Sequence, residues 1–117
     1  MNVDDALAKD RELKDKFLAA IAAKAQLDAM IIGKADRCVL GNWLYGEAER
    51  KYPFLKSYKP CLEAHAAFHV QAAKVVRQIN GGEYDDARAL LGENSAYAKA
   101  FAALEAATMQ FKKDARL

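Results

Sequence analysis

The sequence predicts an all-α fold, a small antiparallel bundle of four to five helices. Alanine, leucine, lysine and glutamate dominate, and β-branched residues are few. No stretch alternates apolar and polar residues with period two. Apolar residues recur instead at spacings of three and four, the signature of helices with one buried face. The chain has 117 residues, of which 53% are hydrophobic, enough for one core. A single domain over residues 1–117 is therefore expected, with no internal repeat, low-complexity tract or dividing linker.

The first helix is expected from about Asp4 or Asp5 to about Ile32. Leu7, Leu13, Phe17, Ile21 and Met30 stripe it, and Gly33 ends it. A shorter helix covers Cys38 to Arg50 and carries Leu40, Trp43 and Leu44. The run Tyr52-Pro53-Phe54 breaks it, because proline disfavours helix in the residue before it. Ser57 suits the cap of a third helix, with Pro60 in its first turn. That helix continues to Asn80 and stops at Gly81-Gly82. A fourth, short helix takes Glu83 to Leu91 and ends at Gly92. Ser95 then caps a last helix to about Arg116, striped by Tyr97, Phe101, Leu104, Thr108 and Phe111.

Charge excludes some partners. Eighteen Lys and Arg stand against 16 Asp and Glu, leaving a formal charge of +2, and the signs are interleaved. That is no nucleic-acid surface. The apolar run Phe17–Ala23 is flanked by Lys16 and Lys24 and is far short of the roughly 20 residues that span a bilayer. The acidic opening MNVDDALAKDRELK lacks the form of a secretory signal. A reducing cytoplasm is expected, in which Cys38 and Cys61 stay free thiols or hold metal.

The two histidines, His65 and His69, lie four residues apart in one helix. Residues so spaced sit one above the other, with Cβ atoms about 5–6 Å apart, so both rings can converge on one ion. Phe68, Ala72, Val76 and Ile79 continue their stripe, which turns both rings to the core. The plainer alternative is that each ring only hydrogen-bonds a core carbonyl or carboxylate. Cys61 cannot join both histidines, because Cys61 and His69 are separated by about 12 Å along a helix axis. Cys38 is the remaining soft donor. Trp43 reads as a core anchor, and Asp28 as a surface charge or a contact to a metal-bound histidine.

The run CVLGNWLYGEAERKY, followed later by HAAFH, resembles the chemoreceptor zinc-binding (CZB) domain family. The resemblance rests on Cys38, Leu40, Gly41, Trp43, His65 and His69, with Leu27-Asp28-Ala29 upstream, and is read over nearly the whole chain. It implies a cytoplasmic helical bundle that binds one zinc through a cysteine and three histidines. The first of those histidines falls here on Asp10, and a tryptophan of the family pattern on Leu13. Asp10 lies on the apolar stripe of the first helix, and a carboxylate oxygen is an acceptable zinc ligand. The alternatives are that Asp10 pairs with Lys14 and a water completes the site, or that the site no longer holds metal.

The resemblance further implies a zinc-dependent sensory or regulatory domain, linked to chemotaxis or cyclic-di-GMP signalling, in which the zinc thiolate of Cys38 answers to zinc or oxidants. Homodimerisation is expected, with a chemoreceptor or other signalling protein as partner in trans. The competing function is a metal-free oligomerisation bundle. A thiol–imidazole enzyme built on Cys38 and His65 is not expected, since no Gly-rich turn supplies an oxyanion hole.

Overall fold

The computed structural model describes residues 1–117 as eight helices without a strand: α1 (Val3–Arg11), α2 (Leu13–Ala23), α3 (Ala29–Gly33), α4 (Val39–Tyr45), α5 (Glu47–Lys51), α6 (Tyr58–Asn80), α7 (Tyr84–Leu90) and α8 (Ala96–Ala115). The two long helices, α6 and α8, run antiparallel. Tyr58 packs on Phe111 and Phe68 on Phe101, with Cys61 against Thr108 between them, so the contacts advance along one helix as they retreat along the other. α3 lies along α6, and α1 packs against α4 and α8.

Local chemistry explains most boundaries. The Asn2 side chain accepts from the Asp5 amide at 3.0 Å, and Asp4 and Asp5 favour the positive end of α1. Ser95 caps α8 by accepting from Ala98 N at 3.1 Å. Ser57 does not cap α6 through its hydroxyl; its carbonyl accepts from Cys61 N at 3.2 Å instead.

The long first helix is three pieces in the structure. α1 continues into α2 through Glu12, whose amide still bonds the Ala8 carbonyl at 2.9 Å. The larger departure is at Lys24, which turns left-handed at φ 54° and closes α2 with bonds to the Ala20 and Ile21 carbonyls. Beyond it the chain crosses to Asn80, which takes the Leu27 backbone in two hydrogen bonds. Met30, expected on the apolar stripe, is consequently 72% exposed. The second expected helix is divided at Gly46, whose φ of −109° and ψ of −99° lie outside the helical region.

One connected core runs from Val3 and Leu7 through Phe17, Leu40, Leu44, Phe68 and Ile79 to Leu104 and Phe111. Phe111 is its aromatic hub, touched by Trp43, Tyr52 and Tyr58 at centroid distances of 5.7, 5.8 and 5.7 Å. Trp43 is therefore the anchor of α4. No helix is long and apolar enough to cross a membrane.

Candidate metal centre

Where α1, α4 and α6 meet, four donor side chains converge: Asp10, Cys38, His65 and His69 each offer one ligand atom, all within 4.8 Å of one another. Cys38 Sγ lies 3.1 Å from His65 Nε2 and 3.8 Å from Asp10 Oδ2. His65 Nε2 is 3.2 Å from Asp10 Oδ2, and His69 Nε2 is 3.6 Å from Asp10 Oδ1. A tetrahedral zinc with bonds of about 2.0–2.3 Å needs ligand-to-ligand edges of about 3.3–3.8 Å. These four separations are close to that size, and no pair of ligand atoms is more than 4.8 Å apart.

Each side chain is placed by its element. Asp10 follows Val3, Ala6 and Leu7 on the buried stripe of α1 and is 2% exposed. Cys38 is the N-cap of α4, where its sulfur accepts from Gly41 N at 3.2 Å. Gly41 is required by close approach. A Cβ there would stand 1.6 Å from the Ala35 carbonyl oxygen and 2.8 Å from His65 Cε1. His65 and His69 occupy the buried face of α6 with ring centroids 4.5 Å apart. His69 Nδ1 donates to the Ile32 carbonyl at 2.7 Å, which fixes its tautomer and turns Nε2 into the cluster.

The protons of the metal-free cluster reflect these contacts. Burial alone pushes the Cys38 thiol up, but the adjoining His65 and His69 outweigh it and bring it down to about 7. Burial lowers the basicity of His69, yet Asp10, Cys38 and the Ile32 carbonyl carry it up to about 10. His65 is raised by Asp10 and Cys38 against the same desolvation. Asp10 is held below its ordinary range by both imidazoles in spite of its burial. His69 Nε2 is buried with no hydrogen-bond partner, as a ligand atom aimed at a cation would be.

All four residues singled out from the sequence thus meet in one place. The ion pairs of Asp10 are with His65 and His69 and not with Lys14. Cys61 stands apart, fully buried against Thr108 Oγ1 at 3.6 Å. Asp28 makes no contact here; it caps α3 by accepting from Ile31 N at 3.1 Å. Sequence reasoning missed the carbonyls of Ile32 and Ala35, since a backbone oxygen has no residue signature. Gly41 was the one available hint. An open groove bordered by Arg37, Val39, Asn42, Trp43 and Arg50 reaches Cys38, which is half-buried.

A family model described as the chemoreceptor zinc-binding domain matches residues 10–76, more than half of the chain. The match begins at Asp10 and takes in Cys38, His65 and His69. No curated protein and no solved structure matches the chain.

Proposed function

The chain belongs to the chemoreceptor zinc-binding (CZB) domain family, and from that premise we propose that it is a zinc-dependent sensory or regulatory module, acting as one unit, with Asp10, Cys38, His65 and His69 as the four ligands. One observation carries the reading: four donor atoms from three helices lie within 4.8 Å of one another inside the bundle. Charge supports it. A dication, one thiolate, one carboxylate and two neutral imidazoles sum to zero, so the filled site is buried without net charge. Bound zinc would keep the Cys38 sulfur deprotonated at neutral pH.

The chain's own residues then make the site responsive. Cys38 is reached through the groove beside α4, so a two-electron oxidant can convert its thiolate to a sulfenate and weaken one ligand. Loss of that ligand frees the N-terminus of α4, which Trp43 couples to Phe111 on α8. Both cysteines are free thiols, in keeping with a reducing cytoplasm. Domains of this family sit in chemoreceptor-like signalling proteins. We infer for this chain a homodimer and a signalling partner of that kind, and a regulatory role with no catalysis.

The competing reading is a metal-free oligomerisation bundle, favoured by the His65–Asp10 contact of 3.2 Å, which is also a sound hydrogen bond to a protonated ring. It leaves His69 Nε2 buried without a hydrogen bond, 3.6 Å from its ion-pair partner Asp10 Oδ1. Metal analysis of protein purified without an affinity tag separates the two. One zinc per chain is expected, and its absence at any stoichiometry after zinc addition refutes the zinc reading.

A further inference from the structure

The segment between α2 and the metal centre is held in an unusual way. α3 has no buried residue, and Met30 and Ile31 are exposed by 72% and 53%. A five-residue helix does not persist by itself. Leu27, Ala29 and Ile32 pack partly buried against the core, and hydrogen bonds fasten the segment at two points. At one end Asn80, the last residue of α6, accepts from Leu27 N at 2.8 Å and donates Nδ2–H to the Leu27 carbonyl at 2.7 Å. At the other end His69 Nδ1 donates to the Ile32 carbonyl at 2.7 Å. Just beyond Ile32, Gly33 meets Ala73 so closely that an added Cβ would lie 3.2 Å from the Ala73 methyl.

We propose that residues 25–33 form a strap whose docking on α6 is linked to metal occupancy, with Asn80 and His69 as its two fastenings. The inference rests on the zinc-site reading and names the element that the site regulates. One imidazole serves both ends of the linkage: Nε2 faces the metal ligands while Nδ1 holds the strap. A metal on Nε2 stops the ring from turning about its side-chain bonds, so Nδ1–H stays aimed at the Ile32 carbonyl. Conversely, a docked strap holds the ring in the orientation that a metal needs. Coupling between two binding events is reciprocal, so the factor by which metal favours docking equals the factor by which docking favours metal. Asn80 touches no metal ligand. It is a positioning residue that acts through the strap, about 16 Å along the α6 axis from His69.

The test uses the whole chain and zinc alone. Amide exchange at Leu27, Ile31 and Ile32 is measured with zinc and with chelator, taking the amides of α7, a short helix with no ligand, as reference. Zinc affinity of the wild type, Asn80→Ala and Asn80→Asp is measured by chelator competition. Zinc is expected to slow the strap amides at least tenfold more than those of α7. Asn80→Ala is expected to weaken zinc about three- to tenfold, below the 10–100-fold typical of a direct partner of a ligand. Asn80→Asp, which keeps the acceptor for Leu27 N and loses the donor, should fall between. Zinc that binds while the strap amides do not change overturns the strap alone, as does wild-type affinity in a folded Asn80→Ala. Failure of the wild type to bind zinc overturns the site and the strap together. The wild-type exchange result decides the matter even where a variant does not fold.

Discussion

Gly41→Ala tests how the thiol ligand is placed. The new Cβ would lie 1.6 Å from the Ala35 oxygen, 2.7 Å from the Ala35 carbonyl carbon and 2.8 Å from His65 Cε1. Carbon and oxygen sit no closer than about 3.3 Å even in a weak C–H···O contact, so α4 and residue 35 must separate by about 1.7 Å. No side-chain rotation relieves the clash, because the two nearest atoms, the Ala35 carbonyl oxygen and carbon, are main chain. Metal–ligand distances tolerate only about 0.2 Å. Cys38, three residues earlier and bonded to the Gly41 amide at 3.2 Å, must move with the helix and leave the cluster. The expected result is a loss of about 100-fold in zinc affinity, the upper end for a residue one contact removed from a metal. Overpacking should cost about 2 kcal/mol of folding stability, or about 8 °C in Tm for a domain of this size. Chelator competition measures the first, thermal melting in excess chelator the second, and the thiolate charge-transfer band of the cobalt-substituted protein shows whether sulfur still ligates. A folded Gly41→Ala protein with zinc affinity within about threefold of wild type and an unchanged cobalt band refutes the reasoning.

Three further outcomes follow from the same geometry. Asp10→Ala should lower zinc affinity at least about tenfold, while Asp10→His, which gives that position the longer imidazole of the family pattern, should bind zinc; equal affinity of wild type and Asp10→Ala in competition titrations would show that the carboxylate is no ligand. Cys61→Ala should keep one zinc per chain and lose about 1 kcal/mol of stability from a small cavity, because Cys61 faces Thr108 and not the cluster; loss of zinc by elemental analysis contradicts that placement. Zinc binding at neutral pH should release protons, since His69 in the metal-free protein holds its proton up to about 10 and Cys38 holds part of its own near about 7. A bound proton competes with the metal, so affinity rises with pH on the acid side of those values. Calorimetry in buffers of different ionisation enthalpy measures the release, and proton uptake on binding is the contrary result.

What residue types and spacings encode locally was legible in the chain. The stripes of α6 and α8, the Ser95 cap and the convergence of His65 and His69 all follow from 3.6-residue periodicity and capping chemistry. The exclusion of Cys61 needed only the helical rise. Resemblance to one family singled out Asp10, whose spacing on α1 then turned it inward. Periodicity could not show that the first helix would end at Lys24, because nothing local forbids helix there; the competing interaction is Asn80, 53 residues away, taking the Leu27 backbone. Nor could it show that Cys38 approaches His65 within 3.1 Å. That distance depends on the Ala35 carbonyl fitting against a residue without a side chain, and on a Trp43–Phe111 contact that joins α4 to α8. Helical faces are properties of short stretches. The size of a cavity between three helices is set by every side chain that keeps them apart, so only the folded chain decides whether four donors stand at ligand distance.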